Sequence, residues 1–581
     1  MLAAMATLAC CALAGAAAGA PAATVAVELA PGTGPAAAGA GAEPAVPAGL
    51  VTRLERRLGH PLPGLRRVYR VEAGGPAEAE RLARRLDARA GVEATVAPRP
   101  APPPAICRAA PDAGWPSFGE GLVTPDLSGL QEYREGLGIP EGANGTGVRV
   151  ADVEYDWRGT HEELAGRALP DPVDSPWVLP EFMAEDHGTA VLGIIAGDQD
   201  GEGITGLAHG AQVTAVSPFR ADDPATYRLA EMIGHAARGL LPGDVLLIEQ
   251  QLETRSGDLV PVEVDRSARV VIQDLVRAGI VVVEPAGNGQ IDLASVGVRA
   301  DPSHPDYSGA LVVGAGGSAG TGNDLSRSVV SNYGARVDVQ GYGEGVLTTG
   351  YGQELGPEDD PDRRYTACFD GTSSASATVA GAVAVLQEIA VAERGAPLTP
   401  AEVRRILVAT GTPQAPPAEG PATPIGPRPQ VAAAAEVIPP VEPTVPPANG
   451  DVVVPPPPPA TPGTVAPPPV PTAAAPRPRP AGIATASKRL RPASRSLAAR
   501  LDRRRGRLTI AVRGLAPRAV VRIGSRVKKA RRGRIVLRRT RPGRILVRVS
   551  APPRRGVAVR STAYRVTIPR KGPSKVARVR R

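Results

Sequence analysis

Aromatic residues are scarce in this sequence: four Phe, three Trp and ten Tyr make up 3% of 581 residues. Cysteine is scarcer still, with four copies. No Leu/Ile/Val/Phe run approaches the roughly 20 residues that a membrane-spanning helix needs, which excludes a protein of several membrane spans. Lysine is missing from most of the chain, since all five copies lie between Lys488 and Lys575. Acid is missing from that same end, where Asp502 is the only carboxylate after residue 480. What is present is 43% hydrophobic residues, 67 Gly and 64 Pro, a composition that excludes a wholly disordered chain. At roughly 100–200 residues per domain the length suggests about three to five units. The net charge of +9 averages two unlike pieces: residues 481–581 carry 33 Lys+Arg against one acid, a net +32, and the remainder is −23. An acidic body is joined to a cationic end.

Residues 1–23 read as a signal peptide, Ala/Leu-rich and closing on small residues suited to signal peptidase. The usual positive start is absent, because the first basic residue is Arg53. Cys10 and Cys11 fall inside this segment and are expected to leave with it. Cys107 and Cys368 then remain, and one disulfide or two unrelated buried thiols are both open. Residues 24–49, rich in Pro, Gly and Ala, read as a flexible lead-in. Residues 50–104 hold a small unit in which Leu65–Val71 alternates like a strand, Pro76–Ala90 is helical and Val92–Val96 alternates again. A proline-rich linker closes it. Residues 105–438 are a long α/β stretch, with apolar runs at Val148–Val153, Gln212–Val216, Asp244–Ile248, Ile280–Val283 and Ala310–Val313. Helical segments at Tyr227–Gly239 and Ser267–Ala278 separate some of them. Strands alternating with helices predict a mostly parallel, doubly wound sheet with helices on both faces. Residues 439–480 contain 18 prolines in 42 positions and read as an extended spacer. Residues 481–581 show five short alternating runs between Gly/Pro turns, as in a small all-β domain.

Four segments carry chemistry-bearing residues: Val148–Trp157 with Asp152, Asp186–Gly197 with His187, Val281–Gln290 with Asn288, and Phe369–Gln387 with Ser373. Singly each has a plain reading: a strand-end turn, a structural histidine, a loop asparagine, a helix N-terminal serine. In the order Asp, His, Asn, Ser they allow nucleophilic acyl chemistry. A serine hydroxyl needs an adjacent base, imidazole titrates near neutral pH, and a carboxylate can fix the imidazole tautomer.

These segments resemble the subtilisin-like serine protease (subtilase) family, through D-H-G-T-A-V-L-G-I-I-A-G, A-G-N and G-T-S-S-A-S-A-T-V-A-G, with Ser331–Val339 similar to the family's segment before the serine. The resemblance implies a subtilisin-like catalytic domain with a triad of Asp152, His187 and Ser373, and Asn288 as oxyanion donor. Ser374 is the fallback nucleophile. The family's Asp-Thr/Ser-Gly becomes Asp152-Val153-Glu154 here, so the turn at the aspartate must differ. Substrate would be bound by Gln250, Glu284 and Gly287. Glu249 and Glu284 would give the pocket a negative wall, unless both meet solvent or a structural partner. The 50–104 unit is similar to a propeptide, with autoprocessing expected between about Val96 and Ala113. No metal constellation is evident and no cofactor is expected; the family's structural calcium has no assigned ligands here. The implied product is an exported endopeptidase acting on proteins or peptides, secreted or held at the cell surface, with no membrane span once mature. The alternative is an inactive scaffold that binds through its cationic tail. That tail suits an anionic cell-wall polymer or polysaccharide through salt-sensitive contacts. Nucleic-acid stacking is disfavoured, because Tyr564 is its only aromatic.

Overall fold

A computed structural model describes residues 23–440 except 103–129, 168–184, 221–222, 319–321, 352–359 and 417–421, together with the strands between residues 491 and 578. The signal-like segment, Cys107 and nearly all of the proline-rich spacer lie outside the described residues. The chain divides into two units, Met1–Pro443 and Thr444–Arg581.

At the centre of the first unit is a six-stranded parallel sheet. Its strands lie in the order Val339–Tyr342, Leu311–Gly316, Val281–Pro285, Val245–Ile248, Arg149–Val153 and Gln212–Val216. Val, Leu and Ile dominate these strands because both faces are covered. Val150, Leu247, Val283 and Val313 point to one core, while Ala151, Leu246, Ile248 and Val282 point to the other. Alternation along an extended chain makes this division. The first strand in sequence, Arg149–Val153, has the second on one side and the third, Val245–Ile248, on the other. The winding therefore reverses between Arg149–Val153 and Val245–Ile248, and a crevice opens there beyond the strands' carboxyl ends.

Two helices fill the first face: Glu185–Ala196 and the 24-residue Gly371–Arg394. The second is apolar enough to cross a membrane by length and composition, yet 78% of its most apolar stretch is buried within the protein. Its Ala, Gly, Ser and Thr residues allow close approach; a Cβ at Gly381 would stand 2.9 Å from the Leu207 Cβ. Arg266–Arg277 covers the other face. Asp265 caps it by accepting the Ala268 N–H at 2.8 Å, and Ala268, Val271, Ile272 and Leu275 form its buried stripe.

The N-terminal residues form their own antiparallel sheet, in the order Glu43–Pro44, Val68–Ala73, Ala23–Leu29, Val92–Val96. The lead-in expected to be flexible thus supplies a central strand. Val25, Val27 and Leu29 alternate into a core under helix Pro76–Asp87, a pattern masked in the sequence by the alanine-rich run before it. A further helix, Ala48–Leu58, buries Leu50, Val51, Leu54 and Leu58. These leucines join the core of the second sheet face, together with Leu229, Ile233, Val271 and Leu275. The Leu65 N–H donates to Asp274 Oδ2 at 3.0 Å, and Arg266 pairs with Glu28 at 3.1 Å. The two parts of this unit share one hydrophobic core.

Glu163, in the turn that follows His161, is buried. Its Oε1 accepts from the Tyr365 hydroxyl at 2.8 Å and the Ile204 N–H at 3.0 Å, and Oε2 has no hydrogen-bond partner. Burial pushes its carboxyl up to about 9, opposed by those two donors and helped by Asp200 and Glu162. The unfolded chain ionises Glu163 near the ordinary value of 4.5, so this group favours the fold fully below that pH. The advantage is lost as pH rises toward 9. Glu163→Gln is therefore expected to stabilise the protein at neutral pH by roughly 1–3 kcal/mol and to flatten stability against pH. Chemical denaturation at several pH values checks this, and equal slopes in both proteins would contradict it.

In the second unit the strands Ser496–Asp502, Arg507–Arg513 and Arg534–Arg538 form one antiparallel sheet. Arg526–Lys528, Val520–Ile523, Gly543–Ser550, Thr562–Ile568 and Lys575–Arg578 form a second. All five expected runs are strands, with five more among the described residues between and around them.

Candidate active site

The winding reversal gathers the candidate residues. His187 stands in the first turn of helix Glu185–Ala196 and is 3% exposed. Its Nδ1 is 2.7 Å from Glu154 Oε2, and its ring meets the Phe369 ring edge-on at 5.3 Å. Glu154 is the first residue past strand Arg149–Val153, and its backbone N–H still bonds Val216 O at 3.0 Å. Its other carboxylate oxygen accepts the Tyr155 N–H at 2.7 Å. The glycine after the histidine makes room: a Cβ on Gly188 would lie 2.2 Å from Asp156 O and 2.4 Å from Glu154 Cγ.

The carboxylate on His187 is therefore Glu154, and Asp152 makes no such bond. Asp152 lies two residues earlier on the same face of the strand, deeper beneath the helices, and neither of its oxygens has a hydrogen-bond partner. Burial, with Glu154 and Glu249 nearby, pushes it well above the usual carboxylate range. Because side chains alternate, positions 152 and 154 face the same way, and the outer one meets the histidine. The acidic pair D-V-E was the available signal.

Ser373 is the third residue of helix Gly371–Arg394, at the end where backbone N–H groups lack helical partners and the helix dipole is positive. Asn288 follows strand Val281–Pro285. Its Oδ1 accepts from the Thr372 N–H at 3.0 Å and hydroxyl at 3.2 Å, which turns its Nδ2 outward to donate to Gln251 Oε1 at 3.2 Å. Gly371 permits this contact: its φ is +86°, and a Cβ there would sit 2.9 Å from Asn288 Oδ1. Ser373, His187, Asn288, Glu249, Gln250 and Gln251 line one pocket together with Tyr155, Pro285, Thr372 and Ala101. Ser374, the alternative serine, instead donates to Tyr342 O at 2.7 Å in the core.

The expected substrate-binding residues divide. Gln250 lines the pocket, but its amide is spent on Val153 O, Glu249 O and the Tyr227 hydroxyl. Glu284 faces the other side of the sheet, where its Oε2 accepts the Glu263 N–H at 3.3 Å beside the buried Arg336–Glu263 pair. Strand alternation puts it there, so it forms no pocket wall. Gly287, at φ +91°, passes too close to Asn332 and Leu259 for any side chain and shapes the turn into Asn288. Gln251 was not anticipated. Its Nε2 donates to Pro102 O at 3.1 Å while its Oε1 receives Asn288, so it joins the N-terminal segment to that asparagine.

That segment occupies the groove. Arg99–Ala101 pairs antiparallel with Gln251–Glu253 in an edge sheet, and the Tyr155 hydroxyl donates to Ala101 O at 2.8 Å. An extended chain added to a sheet edge is a general peptide-binding mode. Cys368, on the strand before the serine helix, is disulfide-bonded, and its partner lies outside the described residues. Among the described residues no group of three or more His, Cys, Asp or Glu is placed to hold a metal ion.

Residues 181–424 match the model of the Peptidase_S8 or subtilase family. The chain carries a subtilase domain. Fervidolysin of Fervidobacterium pennivorans is 34% identical over 113 residues, 19% of this chain and 16% of that protein. The intracellular serine protease of Paenibacillus polymyxa is 27% identical over 45% of this chain and 74% of its own length, and subtilisin NAT of Bacillus subtilis subsp. natto is 26% identical over 42% and 57%. The solved structure of fervidolysin aligns with a TM-score of 0.45 and 19% identity over 73% of this chain and 62% of its own. The match thus spans less than two thirds of fervidolysin and of subtilisin NAT. The subtilase domain contains His187, Asn288 and Ser373 within the matched residues, and Glu154 precedes them.

Proposed function

We propose that this protein is an exported serine endopeptidase that cleaves proteins or peptides through an acyl-enzyme. The observation that carries the reading is the Glu154–His187 pair at 2.7 Å sharing a pocket with Ser373 and Asn288. Ser373 attacks the scissile carbonyl as His187 Nε2 takes its proton, and Glu154 holds Nδ1–H and stabilises the imidazolium. The oxyanion is met by Asn288 Nδ2 and the Ser373 N–H. A donor of this kind is worth roughly 2.7–4 kcal/mol, a figure taken from a subtilisin. The imidazolium then protonates the leaving amine, and water releases the acyl group by the reverse sequence. Residues 23–102 act as a propeptide whose Arg99–Ala101 strand fills the groove as a substrate mimic until it is cut. Export is read from the Ala/Leu-rich residues 1–23.

A fluorophosphonate probe tests the chemistry, because it reacts only with an activated serine. The wild-type chain is expected to be labelled and to be trimmed between about Val96 and Ala113. Purified Ser373→Ala is expected to remain unlabelled and full-length. Labelling that persists in Ser373→Ala would end the assignment.

A further inference from the structure

Glu249 enters none of these steps, yet it lies against the nucleophile. It is the first residue past strand Val245–Ile248, and its side chain points to the face covered by the serine helix. Oε1 contacts Ser376 Oγ, one turn after Ser373; Oε2 closes no hydrogen bond of its own; and the residue lines the pocket beside Ser373 and His187.

Ser376 Oγ has one hydrogen and three oxygens in reach: Thr372 O at 2.7 Å, Ser373 O at 3.0 Å and Glu249 Oε1. Where a helix carbonyl takes that hydrogen, the Glu249 contact needs one from the carboxyl. The surroundings agree. Asp152 and Glu154 face Glu249 from the neighbouring strand, Tyr155 lines the same pocket, and His187 on helix Glu185–Ala196 is the only basic side chain among the described pocket-lining residues. That histidine is already held by Glu154. Burial raises the Glu249 carboxyl well above its usual range, the Glu154 charge adds to this, and the Ser376 and Ser373 hydroxyls oppose it. Meanwhile His187 Nε2 has no hydrogen-bond partner.

We propose that Glu249 is a further catalytic carboxyl, present as the neutral acid, whose Oε1–H anchors to Ser376 and whose Oε2 accepts the Ser373 hydroxyl at rest. The proposal rests on the protease reading above. When substrate enters, the Ser373 hydrogen turns from Oε2 to His187 Nε2. The new bond forms between Oγ and the carbonyl carbon, the carbonyl electron pair moves to oxygen, and the proton passes to Nε2. Glu249 neither gains nor loses a proton. It fixes the serine oxygen between two acceptors and keeps a second negative charge away from the developing oxyanion. Ionisation of Glu249 at high pH would bring that charge in and slow the reaction.

The test uses the full chain and its Glu249→Gln and Glu249→Leu variants. It reads the rate of fluorophosphonate labelling from about pH 5 to about pH 10, and the infrared band of protonated carboxyls. An amide keeps both hydrogen bonds, so Glu249→Gln is expected to label faster than Glu249→Leu at neutral pH and to lose the alkaline decline. Glu249→Leu is expected to label about 10²-fold more slowly, as a misplaced nucleophile does. If it fails to fold, the Gln variant alone decides. The wild type is expected to show a protonated-carboxyl band that Glu249→Gln lacks. Glu249→Gln as slow as Glu249→Leu, Glu249→Leu as fast as wild type, or an unchanged band overturns the proposal while the protease reading stands. A wild-type chain that never labels overturns the protease reading, and the proposal with it.

Discussion

Exchanging Glu154 for Gln is expected to lower kcat by roughly 10³–10⁴-fold with little change in KM, the scale reported for an amide in place of the carboxylate of a Ser-His-Asp triad. The imidazole would be held in the wrong tautomer, its Nδ1 facing an amide that can donate, and the imidazolium would lose its counter-charge. Asp152→Asn is expected to do the opposite of what its motif position suggests. Burial, with Glu154 and Glu249 nearby, pushes the Asp152 carboxyl well above its usual range in the fold. It therefore favours the fold below the ordinary carboxylate pH and opposes it increasingly above. An asparagine removes that opposition, so Asp152→Asn should keep activity within a few-fold and raise the melting temperature at neutral pH. Steady-state kinetics on one peptide for both variants decides between them. Activity lost in Asp152→Asn and kept in Glu154→Gln would return the role to the inner residue.

The second large effect concerns the N-terminal sheet. Leu50, Val51, Leu54, Leu62 and Leu65 are all fully buried in a core that also holds Leu229, Ile233 and Val271. Truncating one such leucine typically costs about 2–5 kcal/mol, against a total stability of about 5–15 kcal/mol. Leu54→Ala is expected to lower the melting temperature of the whole first unit in one cooperative step, not of the N-terminal sheet alone. Leu82→Ala, in the partly buried rim of the N-terminal sheet's own core, should cost much less. A chain beginning after residue 102 is expected to expose the bared face and bind hydrophobic dye. Scanning calorimetry and dye binding measure both, and a truncated chain with the melting temperature of the intact protein would show the shared core to be dispensable.

The sequence makes the central sheet legible because its strands are short apolar runs set between helices. Gln212–Val216 is found where expected, and the other expected runs shift by a residue or more at their ends. Strand Ala23–Leu29 was not legible, since its alternation follows directly on an alanine-rich run of another kind. At the site, His187, Asn288 and Ser373 stand in motifs whose glycines are needed for close approach, and the resemblance of those motifs to the subtilase family marks them. The acid is different. Asp152 and Glu154 share a face, and only the position where the strand leaves the sheet, fixed by pairing to neighbours far along the chain, decides which one reaches the histidine. Glu249 lines the pocket as expected, whereas Gln251 escaped for the same reason as the acid: a polar run after a strand does not reveal which side chains turn to the nucleophile.

The reversal of winding between Arg149–Val153 and Val245–Ile248 makes the active site a seam. Glu154 comes from the strand on one bank, His187 from the crossover leaving it, and Glu249 and Asn288 from strands on the other bank. Ser373 arrives last, on a helix laid down after all six strands have been made. The set is incomplete until residue 373 has joined it. On the protease reading, a growing or partly folded chain lacks the assembled set, and the two banks must close around the late helix before Ser373 meets its base. On that reading the topology acts as a safety catch.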